Sequence, residues 1–173
     1  VVNLALWVDK WIMWFAPGAA TLGRAMFAHE AYEGAMFLAY LSIVPSLALL
    51  LVDIETRFFE AYVRFYRHIG EHATLKEIRR DHASLVRILI AGVQRIALLQ
   101  SVICLIGLLA APALVAAVGG GIEMVPVLRY GLLGALFHML LIAAIAVLAY
   151  FDLRNELLSV AGVFFALNAL LTV

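Results

Sequence analysis

The side chains able to do chemistry are few, and the most informative of them interrupt apolar runs. Asp9 and Lys10 stand side by side in the run 1–16, with Asn3 seven positions before Lys10 and on its helical face. Charged groups are costly in hydrocarbon unless they are paired or hydrated. Two readings follow. The pair lines a hydrophilic cavity that meets a polar solute, or it forms fixed ions with neighbouring helices. Trp7, Trp11 and Trp14 share one face beside these charges. On a pore wall an indole can stack on a sugar ring, whereas at headgroup level it anchors a span, a role that suits Trp14 best and Trp7 least. Asn3, Trp7, Asp9 and Lys10 are thus the candidates for a substrate path.

Little else has catalytic spacing. His68 and His72 are four residues apart and near His82. Two such histidines can bind a metal, but no HExxH motif or cysteine accompanies them, so solvated histidines are expected and no metal or cofactor. The sequence carries no GxSxG, phosphate-binding glycine loop or dinucleotide fingerprint, and an enzyme is not expected. Cys104 has no partner in the chain and should pack as a small apolar residue.

The elements that must position these residues follow from composition. Of 173 residues, 66% are apolar and 14% charged, and the formal net charge is zero. Mean hydropathy is +1.05. A soluble domain of this length needs more polar surface to cover one core, and balanced charge offers nucleic acid no basic field. An all-α integral membrane bundle remains. Runs 34–52 and 96–118 are free of charge, and 130–151 holds only His138 as a titratable candidate. With 1–16 and 157–173 they make five expected spans. The chain has no initiator methionine and both ends fall in apolar runs, so a segment of a longer polytopic protein is expected. Pro45 and Pro112 fall inside full spans, where each removes a backbone hydrogen bond and can kink the helix.

The connection 53–95 carries Arg57, Arg64, Arg67, Lys76, Arg79, Arg80, Arg87 and Arg95, whereas 17–33 has only Arg24 and 119–128 has none. Lys and Arg concentrate on the cytoplasmic side, which puts 53–95 and the Asp152–Asn155 turn inside. Within 55–69, Phe58, Tyr62, Phe65, Tyr66 and Ile69 recur on one helical side, opposite Arg57, Glu60, Arg64, Arg67 and Glu71. Such a helix either lies at the headgroup boundary or covers the ends of the spans. Gly70 should stop it, and Thr74 to Glu77 has the capping-box pattern for a second helix, giving a helical hairpin. Arg64, Arg67, Arg79 and Arg80 are its candidates for docking a partner. At the span ends, Asp53 can pair with Arg57 along its own helix. Alternatively, Asp53 or Glu55 meets Arg154, beside Asp152, as a gate of the kind carriers use.

Several strings together carry a family resemblance. WVDKWIMWF (7–15), FLAYLSIVPSLALLLVDIETRFFEAYVRFY (37–66), YFDLRNELL (150–158) and NALLT (168–172) stand in the order and spacing of the PelG family, with Thr74, Leu75, Glu77 and Ile78 matching its connection. The chain resembles that inner-membrane exporter family of the Pel exopolysaccharide system over essentially its whole length. The resemblance implies a multi-pass bacterial inner-membrane protein of flippase-like fold that exports a cationic amino-sugar polymer during biofilm formation. It also implies work with a cytoplasmic glycosyltransferase and other inner-membrane Pel subunits. Three activities stay open: an exporter, a non-transporting scaffold that docks the glycosyltransferase, and a small-molecule or ion antiporter of similar fold.

Overall fold

The computed structural model describes residues 2–15, 20–22, 26–28 and 30–172. Seven helices carry almost all of it: α1 Val2–Met13, α2 Glu30–Leu41, α3 Val44–Asp53, α4 Phe59–Gly70, α5 Leu75–Ala117, α6 Met124–Tyr150 and α7 Arg154–Thr172. One addition to the all-α expectation lies between α1 and α2. There, β1 Ala20–Leu22 pairs antiparallel with β2 Met26–Ala28, Thr21 opposite Phe27. The hairpin pairs backbone groups in the connection between α1 and α2. Arg24 lies outside the described residues.

Three helical runs are long and apolar enough to cross a membrane: Glu30–Gly70, Leu75–Ala117 and Met124–Tyr150. Spans 34–52, 96–118 and 130–151 fall on these runs. The terminal runs form α1, of 12 residues, and α7, of 19, which pack against each other. At 1.5 Å per residue, α1 is about 18 Å long against a hydrocarbon core of about 30 Å.

The first long run breaks at Ser42 and Ile43. Pro45 cannot donate a backbone bond, and its ring crowds the turn before it. The N–H groups of Ser42 and Ile43 turn instead to Ala39 O at 3.2 Å and Tyr40 O at 3.1 Å, a tighter turn. Pro112, by contrast, sits inside a continuous α5. A single π-helical turn, Ile54–Phe58, joins α3 to α4. It adds one residue and shifts the phase between the two helices.

Helices α4, α5 and α6 end the same way. Each puts a left-handed residue after its C-cap: His72 at φ 56, Gly119 at φ 73 and Asp152 at φ 52. In each, the next residue's N–H reaches back five positions: Ala73 to His68 O, Gly120 to Val115 O and Leu153 to Leu148 O, at 3.0, 2.9 and 3.0 Å. This closure satisfies carbonyls that a helix end leaves unpaired. The helix ends at Gly70 as expected, and His72, two residues on, takes the left-handed conformation of the turn. Thr74 then caps α5. Its hydroxyl accepts from Glu77 N–H, and Glu77 Oε2 accepts from Thr74 N–H and hydroxyl at 2.9 and 2.7 Å. These bonds hold the Glu77 carboxyl below its usual range. A lowered folded value means the cap's contribution persists at neutral pH and is lost as pH falls through that value.

Packing centres on α6, which contacts α2 and α5 along its length and α7 at one side. Three tiers of core run along the bundle. Ala35, Ala39, Cys104, Ala111, Leu128 and Leu132 fill the first. Ile43, Leu50, Ile96, Ala135 and Met139 fill the second. Phe58, Ala61 and Leu85 fill the third, with Tyr62, Phe65, Tyr150 and Phe151 packed around them. The aromatic face of 55–69 thus covers α5 and the end of α6, the packing alternative for that helix. Small residues let helices approach closely in a bilayer. A Cβ on Gly131 would stand 3.0 Å from Ala39 Cβ and 3.1 Å from Met36 Sδ. Gly131→Leu should cost about 1–3 kcal/mol through overpacking. Gly134→Leu, where nothing lies within 4 Å, should be neutral, and thermal unfolding of the full-length protein in detergent compares the two.

Candidate functional site

Hydrophilic side chains collect along the inside of the bundle at three levels. The first is built by α1, α2 and α6. Asp9 is 2% exposed. Its Oδ2 accepts a hydrogen bond of 2.7 Å from the Tyr32 hydroxyl, and its Oδ1 has no hydrogen-bond partner among the described residues. One helical turn on, Trp14 Nε1 donates to Glu33 Oε1 at 3.1 Å, a second clasp between α1 and α2. Lys10 Nζ stands 4.6 Å from the Trp7 ring centroid, a cation–π contact that gives the ammonium a partner other than its neighbour Asp9. The His138 ring stands edge-on between Tyr40, at 5.7 Å, and Phe164 of α7, at 5.6 Å.

At the second level, Gln100 and Ser46 are fully buried. Gln100 Nε2 donates to Ser42 Oγ at 3.4 Å, and that hydroxyl donates to Ala39 O at 2.6 Å. The kink at Ser42 is what turns this hydroxyl towards α5.

The third level lies where α3 meets the π turn. Asp53, nearly buried, faces Arg95 of α5, with Arg95 Nη2 3.1 Å from Asp53 Oδ2. The contact is an ion pair whose angle falls short of a hydrogen bond. Gly92 of α5 leaves room for this carboxylate, with its Cβ position 3.7 Å from Oδ2.

The expected substrate-path residues are only partly assembled. Trp7 and Trp11 are exposed, Asp9 is buried and Lys10 lies between, while the side chain of Asn3 lies outside the described residues. Asp53 and Arg154 each meet a partner outside the expected gate pairs. Asp53 turns to Arg95 instead of Arg57, because the π turn carries Arg57 out of phase with α3. Arg154 folds back on Asp152, Nε to Oδ1 at 2.7 Å and Nη2 to Oδ2 at 3.2 Å. No pair between the ends of α3 and α6 forms among the described residues, and the Glu55 side chain lies outside them.

On the hairpin, Arg67, Arg79 and Arg80 are exposed, as docking residues must be. Arg64 is drawn to Asp81 Oδ1 at 3.8 Å. His68, its side chain 36% exposed, also meets Asp81, and His72 and His82 are exposed. His72 lies beyond the end of α4, so the four-residue spacing from His68 does not make a helical metal site. Among the described residues no group of three metal-binding side chains forms.

Sequence reasoning missed Tyr32, Tyr40, Glu33 and Arg95. Tyr32 and Glu33 precede the charge-free run and read as loop, yet α2 begins at Glu30. Its first-turn carboxylates suit a helix N-terminus. Tyr40 counts as apolar in a hydropathy run, and only the fold stands it against His138.

Bundled apolar helices enclosing a carboxylate, an amide and an ion pair define a helical membrane protein. Its family is shown by the whole chain. The model for PelG, described as a putative exopolysaccharide exporter (EPS-E), matches residues 1–173, and the chain belongs to that family. No curated protein and no solved structure matches it.

Asp152 now has a backbone reason to be where it is. Its left-handed φ is one that glycine adopts without strain, and its ion pair with Arg154 is largely exposed and weak. Asp152→Gly should leave thermal stability unchanged or slightly raised, whereas Asp152→Val should lower the thermal midpoint, because a β-branched residue resists that conformation.

Proposed function

We propose that the chain is part of an exopolysaccharide exporter of the bacterial inner membrane, with Asp9 on the route of an amino-sugar polymer or its carrier. One observation supports this above the others: Asp9 is 2% exposed, and among the described residues only one of its two oxygens has a hydrogen-bond partner. A carboxylate so placed costs stability unless its second oxygen gains a partner. The ammonium of a passing amino sugar is such a partner, and it would be held by a charge-assisted hydrogen bond. Trp7 and Trp11, 48% and 40% exposed on the same helix, offer ring faces for stacking sugars. Tyr32 is a positioning residue that fixes the carboxylate.

In this reading α1 and α7, side by side, join the three long runs as membrane passes. The arginine-rich hairpin of α4 and the first half of α5 lies in the cytoplasm. The exposed Arg67, Arg79 and Arg80 would there meet an acidic surface of the polymerising glycosyltransferase, which supports a docking role alongside transport. Other inner-membrane subunits of the pathway would complete the assembly.

The test is made in the full-length protein, in cells that retain the rest of the pathway. Asp9→Asn keeps an oxygen for the Tyr32 hydroxyl and removes the charge. Secreted polysaccharide should fall about tenfold or more at unchanged membrane level, as expected for losing a hydrogen bond to a charged group. Undiminished secretion at normal protein level would overturn the assignment. Under the docking reading, Arg79→Glu combined with Arg80→Glu should reduce co-purification of the glycosyltransferase without lowering the level of the exporter.

A further inference from the structure

A groove with a mostly apolar wall, bordered by arginines, lies on the outside of α5, where the charged arm gives way to the charge-free run. The groove, of about 500 Å³, is lined by Arg57, Arg87, Gln94 and Arg95 together with Ile88 and Leu98. The three arginines are not equivalent. Arg95 is committed, its Nη2 on Asp53 and its Nε donating to Ala91 O at 3.3 Å. Arg57 and Arg87 are exposed, and among the described residues neither has a carboxylate within ion-pair distance. Asp53, behind Arg95, neutralises one charge of three, so among the described residues the groove keeps an excess of two positive charges. Its volume lies within the usual range for small-molecule sites, about 300–1,000 Å³.

The same face of α5 continues out of the groove as an apolar rail. Leu98, Val102, Leu105 and Leu109 follow at intervals of four, three and four residues, and all four are exposed. From Leu98 to Leu109 the helix rises about 16 Å, about half of a hydrocarbon core of roughly 30 Å. The rail is therefore as long as one leaflet is deep. A basic groove at the polar edge joined to an apolar track one leaflet long has the shape and chemistry of a lipid with an anionic head.

We infer that this groove binds the phosphodiester headgroup of an anionic membrane phospholipid, in the leaflet on the arginine-rich side, with an acyl chain lying along the rail. Guanidinium groups match phosphate oxygens with two parallel donors, and basic pockets between membrane helices hold such headgroups. The site is separate from Asp9, so its failure would leave the export reading untouched, and the reverse also holds.

The experiment uses the full-length protein in neutral-detergent micelles, with phosphatidylglycerol binding followed by native mass spectrometry. Arg57→Gln combined with Arg87→Gln should weaken binding roughly 30-fold, and Arg87→Gln alone about fivefold, as each basic side chain near an anionic lipid contributes about a fivefold factor. Leu98→Asn combined with Leu105→Asn should weaken the lipid without creating a preference for soluble anions. Lys76→Gln and Arg129→Gln, outside the groove, should change nothing, and phosphatidylcholine should bind weakly to every form. Unchanged phosphatidylglycerol affinity in the double arginine variant would overturn the site. So would an equal loss in Lys76→Gln or Arg129→Gln, which marks diffuse attraction. Glycerol 3-phosphate binding as tightly as the lipid would overturn it too, by showing a site for a soluble anion.

Discussion

Lipid tails are as apolar as leucine, so helices in a bilayer gain little from hiding apolar faces against each other. Their association rests on close contact and on hydrogen bonds that hydrocarbon cannot offer. In this protein both converge on α6. Gly131 and Ala135 on one helix, with Ala35 and Ala39 on another, bring α6 and α2 together. Ala111 and Cys104 present a similarly narrow surface from α5, with Cys104 Sγ 3.5 Å from Leu132 O. Tyr32, Gln100 and His138 stand on the helices that this contact aligns.

The same constraint governs where the chain is irregular. At the kink before Pro45, Ala39 O accepts from both the N–H and the hydroxyl of Ser42, and that hydroxyl also receives Gln100. The π turn lies at the edge of the apolar run, where Thr56 Oγ1 donates to Val52 O at 2.6 Å. Helix ends close through three left-handed turns, of which only one uses glycine. His72 and Asp152 are exposed at their turns. Polar side chains suit such positions, since they remain solvated where an apolar residue would gain nothing.

Helix α5 joins two environments in one rigid element. Its 43 residues span about 65 Å, twice the thickness of the hydrocarbon core. The first half is held to α4 by Asp81, which meets both Arg64 and His68, and by the aromatic tier around Phe58. The second half packs on α6. The helix is continuous from the hairpin to the neighbourhood of Gln100, and the arginine groove lies near its middle.

Hydropathy and charge by themselves determined the helical membrane character, the three long runs and the hairpin, because the cost of charge in hydrocarbon is local and additive along a sequence. The capping box at Thr74 and the break at Pro45 were legible for a similar reason, since each depends on a few adjacent residues. The family was legible in the strings around Asp9 and Glu55. Tertiary structure alone decided the partners. Asp9 with Tyr32, Asp53 with Arg95 and Asp81 with His68 join residues 23, 42 and 13 positions apart. A single π turn and a single left-handed residue rotate the faces on which those choices depend. Such rotations leave no mark on composition or spacing, and only the packed helices show which side chain each charge meets.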